Sequence, residues 1–204
     1  MSCALALHSC SSTFGVAVLD GNGRQHSAAF PLGRDLANGL FSAIAELLPA
    51  NQWPQLSWIA VAIGPGSFTG TRISLVLART LAQQLDIPLY GWGSYELIAH
   101  RRQGELRAQG PHWIGQTLVR RGVVAGYYSI GADAVQELEP PRLYPNGVAS
   151  FESPFWEAQM EPQEDSSLLL KLATGLYESA TPGPWQQVLP LYPTSPVQNS
   201  EVPI

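Results

Sequence analysis

Charged side chains are scarce in this sequence of 204 residues: they make up 13%, about half the usual share of about 25%. The formal net charge is −5, and it is unevenly distributed. Residues 1–134 carry nine arginines against seven acidic side chains, whereas residues 135–204 carry two cations against nine acids. This distribution lacks the excess of basic side chains that a nucleic-acid-binding surface needs. If RNA is involved, we expect a partner to supply most phosphate contacts.

Cysteines and long apolar runs are also few. Cys3 and Cys10 form no CxxC motif and no disulfide framework, so we interpret them as small apolar fillers. No apolar run approaches the roughly 18–20 residues of a membrane span. The first ten residues have no basic region before their apolar stretch, so we expect no signal peptide and a cytoplasmic location.

Histidines and acidic residues are not arranged as catalytic or metal-binding motifs. The four histidines, His8, His26, His100 and His112, have no HxxxH, HxH or HExxH spacing. No paired carboxylates stand at predicted strand ends, and no Ser/His/Asp order stands out. We therefore predict no catalytic residue and no metal site.

The first half of the chain predicts an open α/β sheet with an antiparallel start. Apolar runs and a DGNG turn indicate three consecutive strands. Helical and strand patterns then alternate. The predicted strands are 3–9, 14–20, 24–30, 58–63 and 87–92, and the predicted helices are 34–48, 71–85 and one from Ser94 toward Arg102, with a linker at 50–57.

The second half predicts a reduced α/β lobe. A boundary at 104–112 precedes a hairpin of strands 113–119 and 123–130, and a short strand is expected near 142–144. A helix is predicted at 166–179, and the Pro-rich last 24 residues are expected to be extended over the surface. We therefore divide the chain into lobes 1–103 and 104–180 and a C-terminal segment 181–204.

The segment GPGSFTG, residues 64–70, is the strongest candidate for a binding motif in the sequence, because its glycines follow an apolar strand and precede a helix. Such a junction could bind phosphate at the helix N-terminus. It lacks the lysine of a P-loop, and a GxGxxG match is one residue too long. The alternative is a tight structural turn capped by Ser67 or Thr71. Both interpretations use the same residues: Gly64, Gly66, Ser67, Thr69, Gly70 and Thr71.

The helix predicted at 71–85 is apolar over far more than one face. One face suffices for packing on a sheet. The other face either lies beneath the 34–48 helix or forms a protein–protein surface.

Several segments together resemble a known family. The opening CALALHSCSSTFGVAVLDGNG resembles the first strands of actin-like folds. Residues 58–99, WIAVAIGPGSFTGTRISLVLARTLAQQLDIPLYGWGSYELIA, are similar to the signature block of the TsaB (YeaZ) family. VRRGVVAGYYSI and VLPLYPTSPV are similar to that family's hairpin and terminal segments, in the same order.

The resemblance implies an ASKHA (ribonuclease H-like, actin-like) fold and a non-catalytic role. TsaB-like proteins are partners in forming N6-threonylcarbamoyladenosine at position 37 of tRNAs that read codons starting with A. They pair with the catalytic subunit TsaD, and the ATPase TsaE joins the complex. The resemblance implies no resident cofactor, although it leaves open a nucleotide between subunits, and it implies contact with tRNA only through the complex.

The resemblance also implies where the partner binds. The interface with a TsaD-like subunit would use the helices at 34–48 and 71–85, and the same surface could form a homodimer. The expected interface residues are Leu36, Leu40, Arg72, Ile73, Val76, Ala78, Arg79 and Gln83. The sequence leaves open whether Arg72, Arg101 or Arg121 contacts tRNA.

Two departures from the family pattern favour a non-catalytic protein. His8 stands where the family has an aspartate, and Leu118 stands where an aspartate precedes the arginine of the hairpin. An imidazole cannot replace a carboxylate that positions a metal. The alternatives are an enzyme of the glycoprotease or ATPase type acting from the Gly64–Gly70 loop, and a divergent homodimer that has lost TsaD binding.

Overall fold

The computed structural model describes residues 3–105 and 110–194. Its nine strands within this part of the chain are β1 Cys3–His8, β2 Phe14–Leu19, β3 Gln25–Phe30, β4 Leu56–Ala62, β5 Leu89–Trp92, β6 Gly110–Leu118, β7 Gly122–Ile130, β8 Val135–Tyr144 and β9 Phe155–Glu157. The α-helices are α1 Leu36–Leu47, α2 Phe68–Leu85, α3 Ser94–Arg101 and α4 Pro162–Glu178.

The first sheet has the strand order β3-β2-β1-β4-β5. β1 pairs antiparallel with β2, as the antiparallel start predicts. On its other side, β1 pairs parallel with β4. Asp20 and Arg24 close the hairpin between β2 and β3 through a backbone hydrogen bond of 2.9 Å. The central strands are apolar on both sides because helices cover both faces of the sheet.

The two faces of this sheet pack on different helices. Helices α1 and α2 cover one face, where Leu5, Leu7 and Ile59 are buried. Helix α4 covers the other face, where Leu169 and Leu170 pack against Trp58. Although α4 lies within the range assigned to the second lobe, it packs on the first sheet. The division at 103 and 180 remains a prediction.

The second sheet has the order β8-β7-β6-β9. The expected β6–β7 hairpin is present, but the short strand near 142–144 is the end of a strand of ten residues, Val135–Tyr144. It contains Pro140 and Pro141, which an edge strand tolerates because one side of its backbone needs no ladder hydrogen bonds. Strand β9, which runs parallel to β6, is not predicted from the sequence.

The described part of the C-terminal segment, residues 181–194, is largely extended, with one 3-10 turn at Trp185–Gln187. It runs along the edge of the first sheet. The Leu89 N–H donates to the carbonyl of Gly183, and the Leu191 N–H donates to the carbonyl of Ile63. The predicted boundary at 104–112 and the end of the chain lie partly outside the described residues. Within the described residues, no helix is both long enough and apolar enough to cross a membrane.

Candidate functional site

The glycine-rich loop packs tightly against the end of β1. The Ser67 N–H donates to the carbonyl of Cys10 at 2.7 Å, and the Ser9 hydroxyl donates to the carbonyl of Gly70 at 2.9 Å. An added Cβ would lie 2.1 Å from the Cys10 oxygen at Gly66, and 2.5 Å from the Ser9 oxygen at Gly70. The glycines are therefore required because another backbone segment occupies the space that their side chains would fill.

The helix begins earlier than predicted. Residues 68–70 form the first turn of α2, and Ser67 caps this turn by accepting a hydrogen bond from the Gly70 N–H. Thr71 lies inside the helix, and its hydroxyl donates to the Cys10 sulfur at 3.6 Å. The predicted start of the helix at residue 71 is therefore wrong by three residues, because Ser67 supplies the cap and Gly70 fits beneath Ser9.

The loop is also anchored to α3. The Ser94 N–H donates to the carbonyl of Gly64, and its hydroxyl donates to that of Pro65. The N-cap of α3 is Gly93, so Ser94 is the first residue of the helix and binds the loop. With β1 on one side and α3 on the other, the observed contacts favour the structural turn over an open phosphate cradle. Thr69 is exposed beside the loop and lines a cavity of about 490 Å³.

His8 belongs to a buried polar cluster that sequence reasoning missed. Its imidazole is fully buried, and Nε2 lies 3.7 Å from Oδ2 of Asp165 on α4. The other carboxylate oxygen, Oδ1, lies 3.3 Å from an Arg101 nitrogen, and a second nitrogen of Arg101 donates to the Gln159 carbonyl. These residues are far apart in the chain, so no local spacing could have indicated their contact.

The environment of this cluster sets its charge. Burial lowers the pKa of His8 to about 3, with the Arg101 cation acting in the same direction. Burial raises the pKa of Asp165 to about 6, although Arg101 and the N–H of Glu161 pull it down. His8 is therefore a neutral core residue next to a carboxyl group. The cluster joins β1, α3 and α4.

Thiol chemistry is disfavoured at the same end of β1. Cys10 is buried, and burial raises the pKa of its thiol to about 11. The thiol is therefore protonated at neutral pH, and a protonated thiol is a poor nucleophile. Among residues 3–105 and 110–194, no group of three or more His, Cys, Asp or Glu side chains could hold a metal ion.

Helix α2 instead presents an accessible surface. Val76 is 62% exposed, and it lines a groove of about 500 Å³ between α2 and the C-terminal segment. We call this the α2 groove. Its lining includes Arg72, Val76, Arg79 and Gln83 from α2, with Trp185 and Tyr192 opposite. On α1, which contacts α2, Phe41 is 54% exposed and stacks on Trp53.

The structure separates the eight expected interface residues into two groups. Arg72, Val76 and Gln83 are exposed, and Ile73 and Arg79 are half-buried. Leu36, Leu40 and Ala78 are instead buried in the core between α1, α2 and the first sheet. Both helices use these three side chains to bury their sheet-facing sides. The interface set as a whole stays a prediction.

Comparisons with known proteins place these features in a family context. The family model described as "TsaD: tRNA N6-adenosine threonylcarbamoyltransferase" matches residues 33–115. The tRNA threonylcarbamoyladenosine biosynthesis protein TsaB of Bacillus subtilis (strain 168) is 40% identical over 90 residues, which are 42% of this chain and 36% of that protein. TsaB of Buchnera aphidicola subsp. Schizaphis graminum is 39% identical over 46 residues, 22% of either chain.

Solved structures match over nearly the whole chain. A protein of Pseudomonas aeruginosa described as uncharacterized, with similarity to peptidase YEAZ, superposes with a TM-score of 0.75 at 22% identity. The match covers 95% of this chain and all of that one. YeaZ of P. aeruginosa gives a TM-score of 0.73 at 22% identity, covering 94% of this chain and all of that one. The expected α/β fold with two sheets and flanking helices is thus confirmed, and it is shared with these two structures.

Proposed function

We propose that this chain, whose motifs resemble those of the TsaB (YeaZ) family and whose fold is that of the YeaZ structures, takes part in forming N6-threonylcarbamoyladenosine in tRNA. Its role in this proposal is that of a non-catalytic subunit that binds a TsaD-like catalytic subunit. A TsaE-like ATPase joins the complex, and tRNA is contacted through the assembly. The sequence match spans only about a third of the B. subtilis protein, 36%, so the activity and the partners are part of this proposal.

The exposed Val76 carries this proposal. A valine with 62% of its surface exposed, in the middle of a helix and beside a groove, leaves apolar area in water that a partner would bury. Phe41 is a second exposed apolar side chain, on α1, which contacts α2. These two helices are also the ones that the family resemblance assigns to the interface.

The observations at the loop support a non-catalytic role. The backbone of Ser9 and Cys10 fills the space beside Gly66 and Gly70 that a phosphate cradle would leave open. The residue at the family's aspartate position, His8, is buried against Asp165 and has no access to a substrate. These contacts argue against the glycoprotease or ATPase alternative.

Binding to the TsaD-like subunit of the same organism tests the proposal. Val76→Asp should abolish binding in isothermal titration calorimetry, because it replaces the exposed apolar contact with a carboxylate that loses its hydration when a partner covers it, at a cost of several kcal/mol. Val119→Asp is the matched control, since Val119 is 85% exposed in the turn between β6 and β7 and does not line the α2 groove. The control should bind like the wild type. Wild-type binding that survives Val76→Asp would exclude this interface.

A further inference from the structure

The hairpin of β6 and β7 ends in three exposed residues, 119–121 (sequence VRR), which we call the hairpin tip. The two strands pair along their whole length, and the Arg121 N–H closes the turn by donating to the carbonyl of Leu118 at 3.1 Å. Gly122 lies against the chain that follows β8, since an added Cβ would be 2.2 Å from the Tyr144 oxygen. The second sheet therefore holds the tip in a fixed position.

The backbone of the tip does not account for the arginine at its centre. Arg120 has a φ of +63°, in the left-handed region. The third position of a turn with this conformation favours glycine or asparagine, because most other side chains crowd the backbone there. A residue held in such a conformation points to a role for its side chain. The side chain of Arg120 is a cation, and that of the next residue, Arg121, is another.

Both tip arginines are exposed, and no acidic side chain of residues 3–105 and 110–194 forms an ion pair with either of them. The other two arginines that the sequence leaves open for tRNA are engaged within the chain. Arg101 pairs with Asp165 at 3.3 Å, and the guanidinium of Arg72 lies over an aromatic ring of α2. Of the three candidates, Arg121 is thus the one whose charge is available to a ligand, together with its neighbour Arg120.

The rest of the second sheet favours a ligand that is bound through charge rather than through stacking. The ring of Trp113 stacks on those of Tyr127 and Phe151, with centroids 4.6 Å and 4.3 Å away. The arginine within the strands, Arg142, pairs with Glu139 at 2.7 Å. Nucleic-acid bases bind to aromatic rings whose faces are open. Because these rings cover one another, the tip offers contacts for phosphate groups and no platform for bases.

The hairpin also lies next to the helix that the proposed function assigns to the catalytic subunit. Leu118, at the end of β6, and Phe68, at the start of α2, line the same cavity of about 110 Å³. A subunit that docks on α2 is therefore beside the hairpin, and so is a nucleic acid that extends across both proteins. In the proposed complex this nucleic acid is the tRNA substrate, a polyanion with one phosphate charge for each nucleotide.

We propose that the hairpin tip contacts the tRNA backbone in the assembled complex, with Arg120 and Arg121 each binding a phosphate group. This inference rests on the proposed function, which supplies the complex and its tRNA. It adds a contact that this chain makes itself. Two such contacts are few for a chain of formal net charge −5, so the tip acts together with the phosphate contacts of the partner. The contact is independent of the tRNA sequence, because phosphate groups are the same at every nucleotide.

Neutralising the tip tests the proposal. The complex of this chain with the TsaD-like subunit is titrated onto fluorescently labelled, unmodified tRNA at several salt concentrations. Each phosphate contact steepens the slope of log affinity against log salt by about 0.7–0.9, which is a factor of about 5–8 between 1 M and 0.1 M salt. Arg120→Gln combined with Arg121→Gln should therefore weaken tRNA binding by about 25- to 60-fold at about 0.1 M salt and reduce the slope by about 1.4–1.8.

Two matched variants separate the charge of the tip from its shape and from net charge. Arg120→Lys combined with Arg121→Lys keeps both charges and should stay within about threefold of the wild type, since lysine also binds phosphate as a point charge. Arg24→Gln combined with Lys171→Gln removes two charges at exposed positions outside the second sheet. This control should also stay within about threefold, because salt screens charges that are more than about 10 Å from the ligand.

The outcomes distinguish the tip contact from the proposed function. Every variant should bind the TsaD-like subunit like the wild type in isothermal titration calorimetry. If the glutamine variant binds tRNA within about threefold of the wild type and with the same salt slope, the tip contact is wrong and the proposed function stands. If it keeps its tRNA affinity but loses the TsaD-like subunit or the TsaE-like ATPase, the tip binds an acidic protein surface and the inference is overturned. If the wild-type complex does not form or does not bind tRNA, the proposed function fails and this inference with it.

Discussion

Replacing Gly66 by alanine tests the packing of the loop against the end of β1. A Cβ at this position would lie 2.1 Å from the Cys10 oxygen and 2.7 Å from the Cys10 Cβ. Non-bonded carbon atoms prefer separations of about 3.5–4 Å, so the two backbone segments must move apart by about 1 Å. This movement also breaks the 2.7 Å hydrogen bond from the Ser67 N–H to the Cys10 carbonyl.

The expected loss of stability combines three contributions. Overpacking of a filled site costs about 1–3 kcal/mol. The lost hydrogen bond costs about 1 kcal/mol, and the smaller entropy of the unfolded alanine chain returns about 0.5 kcal/mol. Together, Gly66→Ala should lower the free energy of unfolding by about 1.5–3.5 kcal/mol. This loss lowers Tm by about 3–14 °C for a chain of this size.

Urea denaturation followed by circular dichroism measures this difference. Gly21→Ala is the matched control, because a Cβ at Gly21 would meet nothing within 4 Å. The control should change the free energy of unfolding by less than about 0.5 kcal/mol. If Gly66→Ala is as stable as this control, the loop is open rather than filled by β1, and the structural interpretation of its glycines is refuted.

Three further predictions concern the core, the buried cluster and the loop. Ala78→Arg should unfold the chain, because it buries a cation in the core, whereas Val76→Asp should retain the wild-type Tm. If both variants melt at the same temperature, Ala78 is not buried. Asp165 has a folded-state pKa of about 6 against an ordinary 3.8, so the folded state holds its proton more tightly. The stability of the wild type relative to Asp165→Asn should therefore be greatest below about pH 3.8 and decline as the pH rises from there through about 6 in urea titrations. An increase over this range would contradict the pKa. Calorimetry with ATP and Mg²⁺ should detect no binding to the isolated chain, and saturable binding would restore the phosphate interpretation.

The first sheet was predictable because its signals are local. Continuous apolar runs, a DGNG turn and helical spacing indicate β1 to β5 and the helices between them. The start of α2 was not predictable, because the glycines and the proline of GPGSFTG are typical of a loop that interrupts regular secondary structure. Its last three residues become helical only through the Ser67 cap and the contact with Ser9.

The second half was less predictable because tertiary contacts decide it. Strand β8 contains adjacent prolines, and its pairing with β7 is interrupted near Tyr127, so its sequence lacks a regular strand pattern. The placement of α4 on the first sheet follows from its packing on Trp58. The spacing of α2 indicated its unusual apolarity, but only the fold separates the exposed Val76 from the buried Ala78.

Reconstituted modification of tRNA tests the central claim most directly. The TsaD-like subunit and the other components are incubated with unmodified tRNA, and N6-threonylcarbamoyladenosine is measured by nucleoside mass spectrometry. Adding the wild-type chain should raise the yield, whereas Val76→Asp should leave it at the level without the chain. An equal yield with either protein, or modified nucleoside formed by this chain without the TsaD-like subunit, would contradict a docking subunit without chemistry of its own.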